Sequence, residues 1–319
     1  MPEENAGASR LVFFGSGPFG LPTLSALAGA GHEILAVVSQ PDKPAGRGGK
    51  TRPTPISEYA HEQGWSVLTP DSPNTDAFRD ELAALRPDLA VVVAYGHLIK
   101  KPVLAAPRHG FVNLHASLLP AYRGAAPVPW AILSGETVSG CSVFALDEKF
   151  DTGAVIGTAS LPIEDDDTSG TYLEKLAPFG AQLMVRSVAE ICAGRAVPEA
   201  QDDAKSSRAP KFAKADGLID WTADFAVIER KIRAFQPWPL AYAFFETAKG
   251  PVRITVHKAA RADIAKRGLP GAVLAADGDN GLVVMAGDAP VRLAMVRPDG
   301  KRAMADTDFL RGTKVKVSI

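Results

Sequence analysis

Apolar residues in the first half of the chain come in short continuous runs. "RLVFFG" (10–15), "EILAVVS" (33–39), "WSVLT" (65–69), "DLAVVVA" (88–94), "FVNLHA" (111–116) and "CSVFALD" (141–147) each read as a strand. Runs of this length, rich in β-branched residues and bounded by turn residues, fit strands buried on both faces. Helix-like pieces at 18–30, 55–63 and 76–85 separate them, the last stopped by Arg86-Pro87. This alternation predicts an α/β domain on a doubly wound parallel sheet. A further strand at 154–163 leads into a long helix over 168–194, with Thr168 as N-cap and Gly194 as its stop.

The texture then changes. Residues 195–214, "RAVPEAQDDAKSSRAPKFAK", are polar and lack an apolar period, which reads as a linker. After a helical piece at 222–235, short strands such as "RITVHKA", "GLVVMAG" and "VRLAMV" are joined by turns such as "DGDNG". That spacing predicts a small closed barrel. The expected organisation is a catalytic domain over 1–194, a linker over 195–214 and a second domain over 215–319, and 319 residues suffice for two cores.

Composition, 46% apolar and 22% charged, is that of a soluble globular protein. Cys141 and Cys192 form no metal or redox spacing, which favours reduced thiols in a reducing compartment. The first ten residues have no apolar signal core and no run reaches a membrane span, so a cytoplasmic protein is expected. The net charge of −1 divides into −7 over residues 1–210 and +6 over 211–319. The positive final third suggests a polyanionic partner.

Gly15, Gly17 and Gly20 have the spacing of a dinucleotide fingerprint. The second strand, however, ends at Ser39-Gln40-Pro41, without the acid that would hold a ribose, and Pro18 and Pro22 remove donors. A tight strand-to-helix turn near a different ligand is the better reading. The loop over 40–55 has no apolar anchor and four cations; it reads as a mobile basic arm, with Arg47 and Lys50 suited to phosphates.

Chemistry concentrates in "GFVNLHASLLPAYRGAAP" (110–127). Asn113 and His115 lie two apart on a buried strand and share a face. Asp151 follows in "DTG". Without a Ser or Cys at a nucleophile elbow these do not make a covalent triad, and without further His or Cys they make a poor metal site. They suit direct acyl transfer: an amide for an oxyanion, an imidazole to donate a proton, and a carboxylate to orient the ring or accept a proton.

"VNLHASLLPAYRGAAP" with the later "DTG", the "QPDKPAGRGGK" insertion, "AYG" at 94–96, "DDDTSGTYLEKLA" and "IRAFQPWP" resemble the folate-dependent formyltransferase family over essentially the whole chain, and its tRNA-directed members in particular. The resemblance implies a Rossmann-like domain followed by an OB-like barrel. It implies formyl transfer from 10-formyltetrahydrofolate to the amino group of methionyl initiator tRNA, without a metal. With no heptads or extra apolar stripe in the sequence, a monomer is expected. By position the resemblance implies Asn113, His115 and Asp151 as the catalytic trio. Ser117, Leu118, Leu119 and Pro120 match the folate-binding turn, with Tyr95, Gly96, Leu98 and Ile99 as a wall of the pterin pocket. Lys43, Arg47 and Lys50 match the loop that enters the tRNA acceptor end. Ala116 stands where the family often has glycine, and "GSGPFG" replaces the commoner "GTPDFA"; neither alters a reacting group. Two other readings remain open: transfer to a small amine, and an inactive tRNA-binding module.

Overall fold

The computed structural model describes residues 8–44 and 51–317. The backbone groups into two compact units. The first comprises residues 1–127, 138–162 and 173–209, and the second 128–137, 163–172 and 210–319.

The first unit is built on a seven-stranded sheet. Its chain runs β1 (Arg10–Gly15), α1 (Leu21–Gly29), β2 (Glu33–Val38), the short β3 (Lys43–Pro44) and β4 (Thr51–Arg52), α2 (Pro55–Glu62), β5 (Val67–Leu68), α3 (Asp76–Ala84), β6 (Leu89–Val93), α4 (Lys101–Leu104) and β7 (Phe111–His115). Then come β8 (Val138–Ala145), β9 (Val155–Pro162) and α6 (Ser169–Cys192), most of which lies in this unit; α5 (Pro127–Ser134), between β7 and β8 in sequence, lies mainly in the second unit. The strand order is β5-β2-β1-β6-β7-β8-β9. Every residue of β6 is buried, as expected of a strand covered on both faces. Phe14 meets Phe78, Tyr95 and Phe111 with ring centroids 5.2–6.2 Å apart, in edge-on or tilted contacts.

One feature differs from the expected parallel sheet. β5 to β7 are parallel neighbours in that order, but β8 runs antiparallel to β7 and β9 antiparallel to β8. The short connection at 146–154 joins β8 to β9 directly, and only antiparallel strands can be joined that way. β9 also alternates between exposed and half-buried positions along its second half, as a strand with one wet face does.

The glycines after β1 serve packing. A Cβ on Gly15 would lie 2.7 Å from the Phe13 ring and 2.9 Å from the Val93 carbonyl, and one on Gly20 3.3 Å from Ile56 and Phe13. Gln40, where a ribose-binding acid would sit, donates its amide to the Tyr95 carbonyl at 2.7 Å. Thr168 caps α6 through its hydroxyl, which accepts from the Thr171 N–H, and Gly194 follows the helix at φ +70°.

In the second unit, α7 (Phe225–Ala234) precedes β10 (Ala241–Thr247), β11 (Gly250–Arg261), β12 (Val273–Asp277), β13 (Gly281–Met285), β14 (Pro290–Pro298), β15 (Met304–Ala305) and α8 (Asp306–Gly312). The strands form an antiparallel, curled sheet ordered β10-β11-β14-β13-β12, with β15 on β14. Its core gathers Ile228, Ile232, Phe245, Val256, Leu293 and Phe309 among others. Buried Asp306 ties α8 to the sheet through two bonds from Arg292 at 2.8 and 3.0 Å and one from the Leu282 N–H.

Candidate active site

β7 carries the anomaly that marks the site. Four of its five residues are buried and the fifth, Asn113, is half-buried; His115 follows two positions later on the same face. The strand is fixed on both sides, by β6 opposite Asn113 and by β8, whose Ser142 lies opposite His115. The His115 ring is 93% buried and sits edge-on to Phe144, 6.4 Å between centroids.

The ring's two nitrogens have different duties. Nε2 lies 2.9 Å from the Tyr122 carbonyl, which can only accept, so Nε2 carries a proton and donates. Nδ1 then faces Asp151 Oδ2 at 3.9 Å. That distance is too long for a hydrogen bond but suits charge attraction when the ring is protonated. A single nitrogen or oxygen lying to one side can touch both groups.

Asp151 is held by its own loop and by the loop over 122–124. Its Oδ2 accepts from the Gly124 N–H at 2.8 Å, and its backbone sits at φ +55°, a conformation non-glycine residues adopt only where surroundings enforce it. Asp147 enforces it, accepting the Thr152 hydroxyl at 2.8 and 2.9 Å and the Lys149 N–H at 2.9 Å. Gly153 is obligatory, because a Cβ there would overlap the Ala145 carbonyl.

Beyond His115 the chain turns through Ser117–Pro120. Ser142 staples this turn: its hydroxyl accepts from the Leu119 N–H at 3.0 Å and donates to the Ser117 carbonyl at 2.8 Å. The Ser117 hydroxyl donates to the Ala121 carbonyl at 2.6 Å. Leu118 is half-buried and packs over Gly140. At the end of β6, Ala94 and Gly96 expose backbone at φ +50° and +83°. Leu98 is half-buried, whereas Tyr95 and Ile99 are packed into the core beside Phe14. Burial pushes the Tyr95 hydroxyl up to about 12. The exposed part of this stretch is therefore backbone and Leu98, whereas the Tyr95 and Ile99 side chains fill the core.

The basic loop has an ordered base. β3 and β4 form a two-stranded antiparallel ladder that pairs Lys43 with Arg52, where the sequence suggests an arm without structure. Arg47 and Lys50 lie outside the described residues. Among the described residues no cluster of three His, Cys, Asp or Glu is arranged for a metal ion, and no helix is long and apolar enough to cross a membrane.

The family described as "Formyl transferase" matches residues 9–188, and "Formyl transferase, C-terminal domain" matches 211–314. The chain belongs to the formyltransferase family. A methionyl-tRNA formyltransferase of Methylococcus capsulatus is 40% identical over 94% of this chain and 96% of its own length. One from Citrifermentans bemidjiense is 37% identical over 96% and 94%. HypX from Aquifex aeolicus, solved in complex with tetrahydrofolic acid, shares the fold at 17% identity and a TM-score of 0.64 over 95% of this chain. This chain spans about half the length of that protein.

Several residues around this formyltransferase site escape sequence reasoning. Tyr122 contributes only its carbonyl, and Gly124 only its N–H. Ser142 sits in an apolar strand and gives no sign of its two bonds. Gln201 lies in the stretch read as a linker, yet donates to the Asp151 and Gly153 carbonyls at 2.9 and 2.7 Å. The stretch 195–209 belongs to the first unit and is bonded along its length to it, through Glu199 on Val155, and Ser207 and Ala209 on Arg123.

Proposed function

We propose that this formyltransferase moves the formyl group of 10-formyltetrahydrofolate to the α-amino group of methionyl initiator tRNA, in support of translation initiation. The observation that carries the chemistry is the His115–Asp151 pair, nearly buried and 3.9 Å apart, beside Asn113 on the same strand. Two relatives of near-equal length, named methionyl-tRNA formyltransferases, support the acceptor.

The neutral amine attacks the formyl carbon, and negative charge gathers on the formyl oxygen of the tetrahedral adduct. Asn113, with two N–H donors, and the protonated ring of His115 stabilise that oxygen; one such donor contributes ~10²-fold or more in rate. In that state the ring is an imidazolium whose Nε2–H stays on Tyr122 while its other N–H serves the site. Asp151 is 3.9 Å from the ring and bonded to a backbone N–H. That spacing favours Asp151 as acceptor, directly or through water, of the proton the amine loses, with its charge supporting the imidazolium. Collapse of the adduct restores the carbonyl and breaks the bond to N10, which leaves with the proton that the amine has given up, as tetrahydrofolate.

The folate is assigned to the Ser142-stapled turn Ser117, Leu118, Leu119 and Pro120 and to the exposed backbone about Gly96, with Leu98 beside it. Tyr95 and Ile99 shape this wall from beneath. A left-handed, exposed main chain at Ala94 and Gly96 fits a ring edge that exchanges hydrogen bonds with backbone. Lys43, Arg47 and Lys50 are assigned to the acceptor end of the tRNA, and residues 215–319, within the +6 final third, to its body, on an OB-like barrel that would close the curled sheet. Residues 1–194, together with the stretch 195–209 that packs in the same unit, are assigned to the catalytic domain of a cytoplasmic monomer.

The test supplies the purified protein with 10-formyltetrahydrofolate and either methionyl initiator tRNA or an amino-sugar nucleotide. Formylmethionyl-tRNA and tetrahydrofolate should appear one for one, and only with the tRNA. Formylation of the amino sugar alone would replace the acceptor, and no release of tetrahydrofolate with either would end the reading. tRNA affinity should also fall steeply as salt rises, as binding through phosphates requires.

A further inference from the structure

Two loops must be held in register for His115 and Asp151 to face each other. One is 122–124, which supplies the Tyr122 carbonyl to the ring and the Gly124 N–H to the carboxylate. The other is 147–153, which carries Asp151 itself. The two loops meet at that Gly124–Asp151 contact, and one further side chain reaches both of them.

That side chain is Gln201. Its amide nitrogen donates to the carbonyls of Asp151 and Gly153 at 2.9 and 2.7 Å. Its amide oxygen accepts from Arg123 Nε and Nη2 at 3.0 and 2.8 Å. Both hydrogens and both lone pairs are thereby used, the full capacity of the group. Arg123 lies between Tyr122 and Gly124, so Gln201 binds one loop through its oxygen and the other through its nitrogen. Arg123 is itself fixed: its side chain is 13% exposed, it meets Asp203 at 2.9 Å, and its backbone pairs with Ser207 and Ala209. The Tyr122 N–H adds a bond to the Ser207 hydroxyl at 2.8 Å.

We infer that Gln201 is a positioning residue for the reaction: it sets the separation of the His115 imidazole and the Asp151 carboxylate by clamping the loops that hold them. It touches neither reacting atom. Its contribution is geometric, and displacement of a catalytic group by ~1 Å typically costs ~10²-fold in rate. The inference rests on the acyl-transfer reading of the His115–Asp151 pair.

Glutamate at this position separates positioning from simple tethering. Gln201→Glu keeps the acceptor for Arg123 and gains a charge-assisted bond there, but turns both donors into acceptors facing two carbonyls. A residue that only anchors Arg123 would tolerate the change; a clamp would not. Steady-state kinetics with methionyl-tRNA and 10-formyltetrahydrofolate, with kcat referred to the folded fraction by circular dichroism, should show Gln201→Ala and Gln201→Glu both lowering kcat by 10- to 100-fold. KM for each substrate should stay within about twofold. A Gln201→Glu enzyme with wild-type kcat, or a kcat per folded molecule unchanged in Gln201→Ala, overturns the inference. So does a loss confined to KM. Wild-type protein run alongside keeps the outcomes apart: if it formylates nothing, the reaction was misassigned; if it is active and both variants match it, only the role of Gln201 falls.

Discussion

β7 with its exit turn (111–120) and the strap over 195–209 both build the candidate active site, and they are written in the sequence in opposite ways. In β7 the site is an interruption: an amide and an imidazole stand in a strand whose other residues are apolar and buried. A buried strand accepts such groups only where partners or a ligand satisfy them. The strap has no pattern to interrupt. Its polar residues bond main-chain and side-chain groups of other loops, as any polar stretch can. Groups that do chemistry are conspicuous because they break the local rule, whereas groups that hold them in place obey it.

The sharpest way to break this contrast is to truncate the conspicuous side. His115→Ala should lower kcat by ~10³-fold or more and Asn113→Ala by ~10²-fold, each with tRNA affinity within a few-fold of wild type. Single-turnover formylation beside a direct binding measurement checks both. Near-normal turnover in either variant would mean that the interruption in β7 is a satisfied core group and not chemistry.

Much of the fold was legible for the reason β7 was. Continuous apolar runs fixed where the strands of the first unit lie, and Thr168 and Gly194 marked the ends of α6 through cap chemistry. The direction of β8 was not legible. Six of its residues form an unbroken buried run, which does not distinguish a parallel from an antiparallel neighbour. Tyr95 and Ile99 show a second limit. Four residues apart in an apolar loop, they could line a pocket or fill the core, and only the packing around Phe14 decides for the core. Gln201 shows a third, since its four hydrogen bonds reach three residues on loops 48 to 78 residues away in sequence.

The quiet side of the contrast has its own vulnerable point, with a smaller expected effect. Gly124 lies at φ +129°, and a Cβ there would come within 2.6 Å of the Ala209 carbonyl. Its N–H is the bond that holds Asp151. Gly124→Ala must therefore either strain the backbone or push the strap away, and a shift in either direction moves the carboxylate. A 10- to 50-fold loss of kcat is expected, with the melting midpoint lowered by a few degrees. If stability falls and kcat per folded molecule does not, strap and site are less tightly linked than their hydrogen bonds suggest.

The smallest effect belongs to Tyr95, at the end of β6, which tests whether a residue that looks functional is only structural. Its ring is packed edge-on against Phe14, and its hydroxyl is buried with no hydrogen-bond partner among the described residues. An unpartnered buried hydroxyl costs free energy, so Tyr95→Phe should leave stability at pH 7 unchanged or raise it by up to ~1 kcal/mol. The folate KM should stay unchanged. The pH dependence has a definite sign. Burial raises the hydroxyl from its ordinary 10 to about 12, so the folded state keeps this proton more firmly than the unfolded chain does. Stability from that difference is complete below pH 10 and is lost as pH rises towards 12. Removing the hydroxyl removes this loss, and chemical denaturation at pH 8 and pH 10.5 should show Tyr95→Phe gaining on wild type at the higher pH. A raised folate KM in Tyr95→Phe would instead mean that the hydroxyl reaches the ligand, and that the wall of the pterin pocket includes a side chain now counted with the core.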